Sequence, residues 1–157
     1  MPVSKEEFRA ALGHFASSVT VITLKGEDGG VYGLTVSAFS SLSLNPPLVL
    51  ICIEKNASLH PHLREGSYFG VNILAEDQEM ISRRFASKEP DRFSGIGYVR
   101  AANASPLIDG ALAHLECRIT AAYPGGDHTI FVAEVESTGL KEGRPLTYFR
   151  GGYNRLA

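Results

Sequence analysis

Residues 113–138 read AHLECRITAAY-PGGD-HTIFVAEVEST, and this stretch predicts a long β-hairpin. Both arms are rich in the β-branched and aromatic residues that favour strands. The Pro-Gly-Gly-Asp segment between them is a typical turn sequence, because glycine adopts the backbone conformations that a tight reversal needs. We therefore expect residues 113–123 to pair with residues 129–138 in an antiparallel sheet.

Shorter apolar runs on both sides of the hairpin extend the predicted sheet. Turn residues separate these runs, and their lengths are those of ordinary strands. The predicted strands are residues 19–25, 31–37, 48–53, 68–74 and 146–156, the last interrupted at Gly151-Gly152.

Two or three helices are predicted outside the sheet. Ser4 and Glu7 form a capping box that begins a helix reaching Phe15, and residues 76–86 carry apolar side chains at helical spacing. Residues 56–64 predict a short third helix, whereas residues 88–108 are predicted to be mostly loop. Because strands and helices do not alternate regularly, the pattern predicts a mainly β fold. We expect an antiparallel barrel with peripheral helices, in a single domain over residues 1–157.

Composition and charge restrict the function classes. The 157 residues are 44% hydrophobic and 20% charged with a formal net charge of −2, which gives no basis for nucleic-acid or membrane binding. The N-terminal residues lack the apolar segment of a secretory signal, so a cytoplasmic location is expected. Cys52 and Cys117 lie in apolar runs and are predicted to be buried free thiols.

The common nucleotide and metal motifs are absent or incomplete. Gly95-Ile-Gly97 begins a dinucleotide-binding pattern, but Arg100 stands where the third glycine belongs. There is no phosphate-binding loop of the P-loop type and no paired-cysteine motif. His60 and His62 lack a third ligand at a recognisable spacing, so no metal site is predicted.

Three polar segments are candidates for ligand binding. Residues 35–41 combine hydroxyl and small side chains, which either donate hydrogen bonds to a phosphate or polar ring or satisfy their own backbone. Residues 55–58 bring a cation and capping side chains to a predicted helix start, which suits a phosphate but equally a plain N-cap. His128 follows the hairpin turn, where barrels commonly present ligand contacts.

Four segments, in this order, resemble the short-chain NAD(P)H:flavin reductases of two-component monooxygenases. They are residues 15–21 (FASSVTV), 33–49 (GLTVSAFSSLSLNPPLV), 123–130 (YPGGDHTI) and 145–153 (PLTYFRGGY). The second and third are the specific ones, and the four together run nearly from end to end. The resemblance implies a six-stranded Greek-key split barrel that binds flavin. It also implies a homodimer with flavin sites near the subunit interface.

The resemblance also implies which residues form the site. Thr35, Val36, Ser37 and Ala38 are expected at the flavin ring, and Ser40, Ser41, Asn56 and Ser58, with Lys55 beside them, at the ribityl and phosphate groups. Arg84, Phe85 and Ala86 match an Arg-Phe-Ala segment that approaches the phosphate or adenine end. His128 matches the histidine that meets the nicotinamide, and Tyr153 matches an aromatic residue near the same pocket.

The reaction implied by the resemblance is hydride transfer from C4 of NADH or NADPH to N5 of FMN or FAD. Reduced flavin would then supply a separate oxygenase component. Because no side-chain acid or base is required for this step, His128 is expected to position the nicotinamide. Three alternatives remain open: a non-catalytic barrel that binds or senses flavin, another split-barrel flavoprotein oxidase, and a plain interaction domain that binds no flavin.

Overall fold

Strands provide most of the regular structure in the computed structural model, which describes residues 1–157. The helices are α1 (Lys5–Leu12) and α2 (Glu79–Ala86), with a short 3₁₀ helix at His60–His62. The first six strands are β1 (Ser17–Ser18), β2 (Thr20–Lys25), β3 (Val31–Val36), β4 (Phe39–Ser43), β5 (Leu48–Glu54) and β6 (Tyr68–Ile73). The other six are β7 (Tyr98–Arg100), β8 (Pro106–Ile108), β9 (Ala113–Gly125), β10 (His128–Leu140), β11 (Leu146–Phe149) and β12 (Gly152–Arg155).

Seven strands form one antiparallel sheet in the order β3-β2-β6-β9-β10-β5-β4. The consecutive strands β3 and β4 lie at opposite edges of this sheet although only Ser37 and Ala38 separate them. The sheet must therefore curl until its edges approach, yet β3 pairs only with β2 and β4 only with β5. The result is a barrel that is split along one side, which confirms the predicted mainly β antiparallel fold. The sheet has seven strands, not six, because residues 31–43 form two strands with a bend between them.

The predicted hairpin is present and longer than expected. β9 and β10 pair along their whole length, and His128 lies opposite Gly125, so Gly126 and Asp127 form the turn. Gly126 has a positive φ of 67°, a conformation that glycine adopts without steric cost. Two register shifts interrupt the ladder and increase the local twist. The hairpin thus places His128 at one end of the curled sheet.

The core is divided between the inside of the sheet and the space beneath α2. Alternate residues of β5, Val49, Ile51 and Ile53, contribute to a cluster of 14 buried side chains inside the sheet. A second cluster of seven residues includes Phe85 of α2, which is 0% exposed. A Cβ on Gly33 would lie 2.5 Å from the Phe85 ring, so the glycine lets α2 approach β3 closely. The side chain of Phe85 therefore belongs to the core, and the expectation that it lines the cofactor site is wrong for that side chain.

Three local predictions differ from the structure. Residues 56–64 form successive turns, with hydrogen bonds from His60 N to Ala57 O and from Leu63 N to His60 O. Pro61, in the middle of this segment, has no N–H to donate. No α-helix begins at residues 55–58, so these residues form neither a helix-terminus phosphate site nor an α-helix N-cap. Residues 88–108, predicted as loop, contain the paired strands β7 and β8. The β7–β8 pair depends on contacts with the rest of the fold, since Ile108 of β8 belongs to the second core cluster and Tyr98 of β7 packs against it.

The two cysteines also differ from each other. Cys117 is buried as predicted, and this burial raises the pKa of its thiol to about 12. Cys52 is only half-buried, because it lies on the face of β5 opposite the core residues. None of the helices is long and apolar enough to cross a membrane.

Candidate active site

A cavity of about 210 Å³ opens beside the bend between β3 and β4. Residues from five elements and the bend meet there, because β1, β3, α2 and the β11–β12 pair converge at the split of the barrel. Its lining residues are Ser17, Ser18, Val19, Thr35, Val36, Ser37, Ser82, Ala86, Tyr148 and Tyr153. Five of the site residues expected from the sequence therefore line one cavity: Thr35, Val36, Ser37 and Ala86, expected at the flavin, and Tyr153, expected near the nicotinamide.

Ser82 of α2 connects two walls of this cavity. Its carbonyl accepts a hydrogen bond from Thr35 Oγ1 at 2.7 Å, and its hydroxyl shares a hydrogen bond with Tyr153 Oη at 2.7 Å. Ser82 is 0% exposed, while its partners Thr35 and Tyr153 are half-buried in the cavity wall. Ser82 is not among the site residues predicted from the sequence. A serine on the buried face of an amphipathic helix, three residues before Phe85, was the available signal.

An open groove of about 630 Å³ adjoins the cavity and shares Ser17, Ser37 and Tyr148 with it. Ala38, Ser40, Leu50 and Cys52 also line this groove, and α1 contributes Phe8, Arg9 and Leu12. The predicted flavin residues Ser37, Ala38 and Ser40 thus lie along a continuous surface from cavity to groove. The Ser40 hydroxyl donates to the Ser41 carbonyl at 2.9 Å. For Ser40, the structure therefore agrees with the second interpretation of residues 35–41, in which the hydroxyls satisfy the local backbone.

The bend itself carries two free backbone donors. The Ser37 carbonyl accepts from Phe39 N at 2.9 Å and the Ala38 carbonyl accepts from Cys52 N at 3.0 Å, but the Ser37 and Ala38 N–H groups donate to nothing in the chain. Both residues are exposed. Two consecutive unpaired N–H groups that border a cavity are suited to bind the polar edge of a ligand or to stabilise a developing negative charge.

His128 lies at the same end of the sheet as the bend but does not line the cavity of its own chain. His128 pairs with Glu54 at the end of β5. Cys52, two residues earlier in β5, donates its N–H to the Ala38 carbonyl of the bend. The Nδ1 atom of His128 donates to Asp127 Oδ1 at 2.7 Å. This hydrogen bond, together with the charge of His128 and more weakly that of Lys5 in α1, lowers the pKa of Asp127. The Asp127 carboxylate therefore holds the His128 ring from its Nδ1 side.

The remaining predicted residues are distributed around this region. Lys55 and Asn56 are exposed beside the hairpin tip, where Lys55 N donates to Asp127 O at 3.0 Å. Ser58 lies in a separate depression next to Gly33, and Arg84 lies in another on the outer side of α2, where its Nη1 donates to Ser94 O at 2.9 Å. Ser41 is exposed on β4 and lines neither the cavity nor the groove.

The histidines outside the hairpin tip have structural contacts. His60 Nε2 bonds to the Thr129 hydroxyl at 2.8 Å, and His62 stacks on Tyr32 with ring centroids 4.3 Å apart. His114 Nε2 donates to Ile108 O at 2.7 Å. The structure brings no three His, Cys, Asp or Glu side chains together in the arrangement of a metal site.

Comparison with known proteins shows the family to which the chain belongs. Residues 12–157 match the family model of the flavin reductase like domain. The chain is 41% identical, over 99% of its length and 83% of the relative's, to the reductase component of 4-nitrophenol 4-monooxygenase/4-nitrocatechol 2-monooxygenase from Rhodococcus opacus. It is 45% identical to the reductase component of 4-hydroxyphenylacetate 3-monooxygenase from Thermus thermophilus, over 97% of each chain.

A solved structure agrees with these sequence matches. The NADH:FAD oxidoreductase of Streptomyces globisporus, in complex with NAD and FAD fragments, superposes with a TM-score of 0.92 at 38% identity. The alignment covers 100% of this chain and 97% of that one. The chain belongs to the flavin reductase-like family, which confirms the resemblance found in the sequence.

Proposed function

We propose that this protein transfers a hydride from NADH to FMN or FAD and supplies the reduced flavin to a separate oxygenase component. The observation that carries the proposal is the pair of unpaired N–H groups at Ser37 and Ala38, between a hydroxyl-lined cavity and an open groove. The predicted class, an NAD(P)H:flavin oxidoreductase, is confirmed by its relatives, which include an NADH-dependent flavin reductase and an NADH-dependent FMN reductase. The cytoplasm, where NADH is generated, is the compartment in which this reaction would operate.

The residues of the cavity fit a flavin. A flat ring with polar edges needs apolar contact on its faces and hydrogen-bond donors at its rim. Val19, Val36 and Ala86 provide apolar surface, while the free N–H groups of the bend and the unpaired Ser37 hydroxyl provide donors. No charged side chain lines the cavity, which suits a ring that is neutral when oxidised.

Catalysis requires little from side chains in this arrangement. The bound flavin supplies a hydride acceptor at N5, and the nicotinamide supplies the hydride from C4. The N–H groups of Ser37 and Ala38 stabilise the negative charge that reduction adds to the ring. Thr35 and Tyr153, both hydrogen-bonded to Ser82, keep the cavity walls in place so that no reorganisation is needed during transfer.

We propose that a second copy of the chain covers the groove, so that the active enzyme is a homodimer. α1 buries none of its residues, and its apolar side chains Phe8 and Leu12 are exposed, as is Phe15 just beyond its end. An amphipathic helix of eight residues gains little stability without a partner for its apolar face. Tyr148, which lines the groove, and its exposed neighbour Phe149 continue the same apolar surface. The proposed interface therefore includes the open side of the flavin site.

Oxidation of NADH by the purified protein tests the proposed function. Absorbance of NADH and NADPH is followed with and without FMN, FAD or riboflavin. We expect rapid oxidation that depends on added flavin and is faster with NADH. Flavin binding without turnover would favour the non-catalytic barrel instead. Consumption of oxygen by the flavin-loaded protein with another electron donor would favour the flavoprotein oxidase.

Replacing Ser82 by alanine is expected to raise the KM for flavin about fivefold with little change in kcat. The variant removes one buried hydrogen bond, worth about 1 kcal/mol, and leaves the Tyr153 hydroxyl without its partner. Steady-state kinetics with varied flavin give the measurement, and Ser82→Thr is expected to restore most of the affinity.

Ser94→Ala is the matched control for this variant, because Ser94 is exposed and its hydroxyl makes no hydrogen bond in the chain. A Ser82→Ala protein with a lower melting temperature but an unchanged KM for flavin would contradict the positioning role. Ser82 would then stabilise the fold without acting on the cavity.

A further inference from the structure

The groove beside the cavity has the size of a ligand site of its own. Its volume is about 630 Å³, against about 210 Å³ for the cavity. Sites for small ligands and cofactors commonly fall between about 300 and 1,000 Å³. Ser37 lines both the cavity and the groove, so a ligand in the groove would lie beside a flavin ring in the cavity. The second reactant of the proposed reaction, a nicotinamide dinucleotide, needs a place of this kind.

Arg9 of α1 is the only charged residue among the 13 that line the groove, eight of which are apolar. It is exposed, and none of the five ion pairs of the chain includes it. Glu6, three residues earlier on the helix, does not pair with it, and the Glu7 carboxylate accepts a hydrogen bond from Ser4 N instead. The chain therefore supplies no counter-charge for the Arg9 guanidinium.

An unpaired cation at this position opposes closure of the groove. If a second copy of the chain covers the groove, the guanidinium of Arg9 loses water without gaining a partner, which is costly for any ion. An anionic ligand removes this cost. A dinucleotide carries a diphosphate, and the planar guanidinium group matches phosphate oxygens with two parallel hydrogen bonds.

The charge of α1 also acts on the residue that holds His128. Lys5 lies four residues before Arg9, so the two cations share one side of the helix. The pKa of Asp127 is lowered mainly by its hydrogen bond with His128 and, in smaller part, by the charge of Lys5. Positive charge on one side of α1 is thus available both near the histidine expected to meet the nicotinamide and in the groove.

We propose that Arg9 binds the diphosphate of the nicotinamide dinucleotide, which lies in the groove between α1 and the second copy of the chain. This inference rests on the proposed function, because it assumes that the flavin ring occupies the cavity. Arg9 precedes residue 12, where the match to the family model begins, so that match does not include it. The diphosphate is remote from the reacting C4 atom, and Arg9 therefore contributes to donor affinity and not to hydride transfer itself.

Replacing Arg9 by glutamine is expected to raise the KM for NADH about tenfold, with kcat changed less than twofold, when FMN is saturating. The variant removes one charge-assisted contact, while glutamine keeps the helix propensity of this position. With 1-benzyl-1,4-dihydronicotinamide, a hydride donor that has no phosphate, kcat/KM should change less than twofold. Arg9→Lys keeps the charge without the planar fork and should have an intermediate effect on the KM for NADH.

Equilibrium binding provides a measurement that does not depend on turnover. By calorimetry on the FMN-loaded protein, the Kd for NAD⁺ is expected to rise about tenfold in Arg9→Gln. The Kd values for oxidised FMN and FAD, followed by flavin fluorescence, should change less than twofold. Arg100→Gln is the matched control, because Arg100 is an exposed arginine of β7 that lines neither the cavity nor the groove.

Equal losses with NADH and with the phosphate-free donor, or no loss with NADH, would overturn the assignment of the diphosphate. Weaker binding of FAD but not of FMN, with an unchanged KM for NADH, would assign Arg9 to the flavin diphosphate and overturn it as well. Arg9→Gln protein that sediments as a monomer would show that Arg9 pairs with the partner subunit instead. All three results leave the reductase function in place, whereas wild-type protein that oxidises neither donor in the presence of FMN would contradict that function.

Discussion

His128→Ala is expected to lower kcat/KM for NADH about a hundredfold while the Kd for oxidised flavin changes less than twofold. Loss of one group that orients a reactant typically costs this much, because hydride transfer is sensitive to small displacements of the reacting atoms. His128 lies outside the cavity, at the hairpin tip, so its removal leaves the contacts of Thr35, Ser37 and Ala38 intact. NADH oxidation and flavin fluorescence, measured on the same preparation, give the two quantities.

Replacement of Asp127 is expected to have a smaller effect on NADH oxidation than replacement of His128. The hydrogen bond and charge of His128 hold the pKa of Asp127 below its ordinary value, so the carboxylate stays ionised to a lower pH than usual and continues to accept the hydrogen bond from Nδ1. Nε2 of His128 is then the atom free to face a ligand. Asp127→Asn should reduce kcat/KM for NADH less than His128→Ala does, by about three- to tenfold. If His128→Ala weakens oxidised flavin binding as much as it slows NADH oxidation, the assignment to the nicotinamide is wrong.

Phe15→Asp is expected to convert a dimer into monomers and to weaken flavin binding by tenfold or more. Phe15 is 77% exposed in the single chain, so the substitution removes no core contact and the monomer should remain folded. A carboxylate introduced into an apolar interface must lose its hydration without a partner, which strongly disfavours association. Sedimentation velocity gives the oligomeric state, and circular dichroism shows whether the fold is retained.

Dilution separates the effect of dimerisation from a direct effect of Phe15 on the groove. If the second copy completes the site, specific activity of the wild type falls as the dimer dissociates on dilution. Leu140→Asp is the matched control, since Leu140 is 88% exposed at the opposite end of the long hairpin from His128. A wild-type protein that is monomeric and fully active would contradict the proposed homodimer.

Local sequence signals predicted the elements whose formation depends on near neighbours. The capping box of Ser4 and Glu7 begins α1 as expected, with Glu7 N bonded to Ser4 Oγ at 3.1 Å and Ser4 N to Glu7 Oε2 at 2.9 Å. The glycine turn and the β-branched arms produced the β9–β10 hairpin. Where the local pattern was ambiguous, the prediction was wrong. Residues 56–64 contain leucines at helical spacing, but this segment forms successive turns, and Leu59 and Leu63 are buried without an α-helix.

The site was only partly predictable for a different reason. Residues 35–38 were recognised because they are contiguous in sequence and match a family pattern, and they do border one cavity and groove. Ser82 was missed because its role depends on Thr35 and Tyr153, which are 47 and 71 residues away. Phe85, adjacent to two exposed or half-exposed neighbours, was assigned to the site although its side chain faces the core.

By itself the sequence determined the strand and turn pattern, the antiparallel class and the family, since these depend on local periodicity and on contiguous motifs. Only the tertiary structure decided that β3 and β4 lie at opposite edges of one sheet, because register and curl arise from pairing between distant strands. That arrangement leaves the N–H groups of Ser37 and Ala38 unpaired and opens the edge of β3 toward Arg92. The candidate site exists because the barrel is split at this point, and no short segment of sequence contains that information.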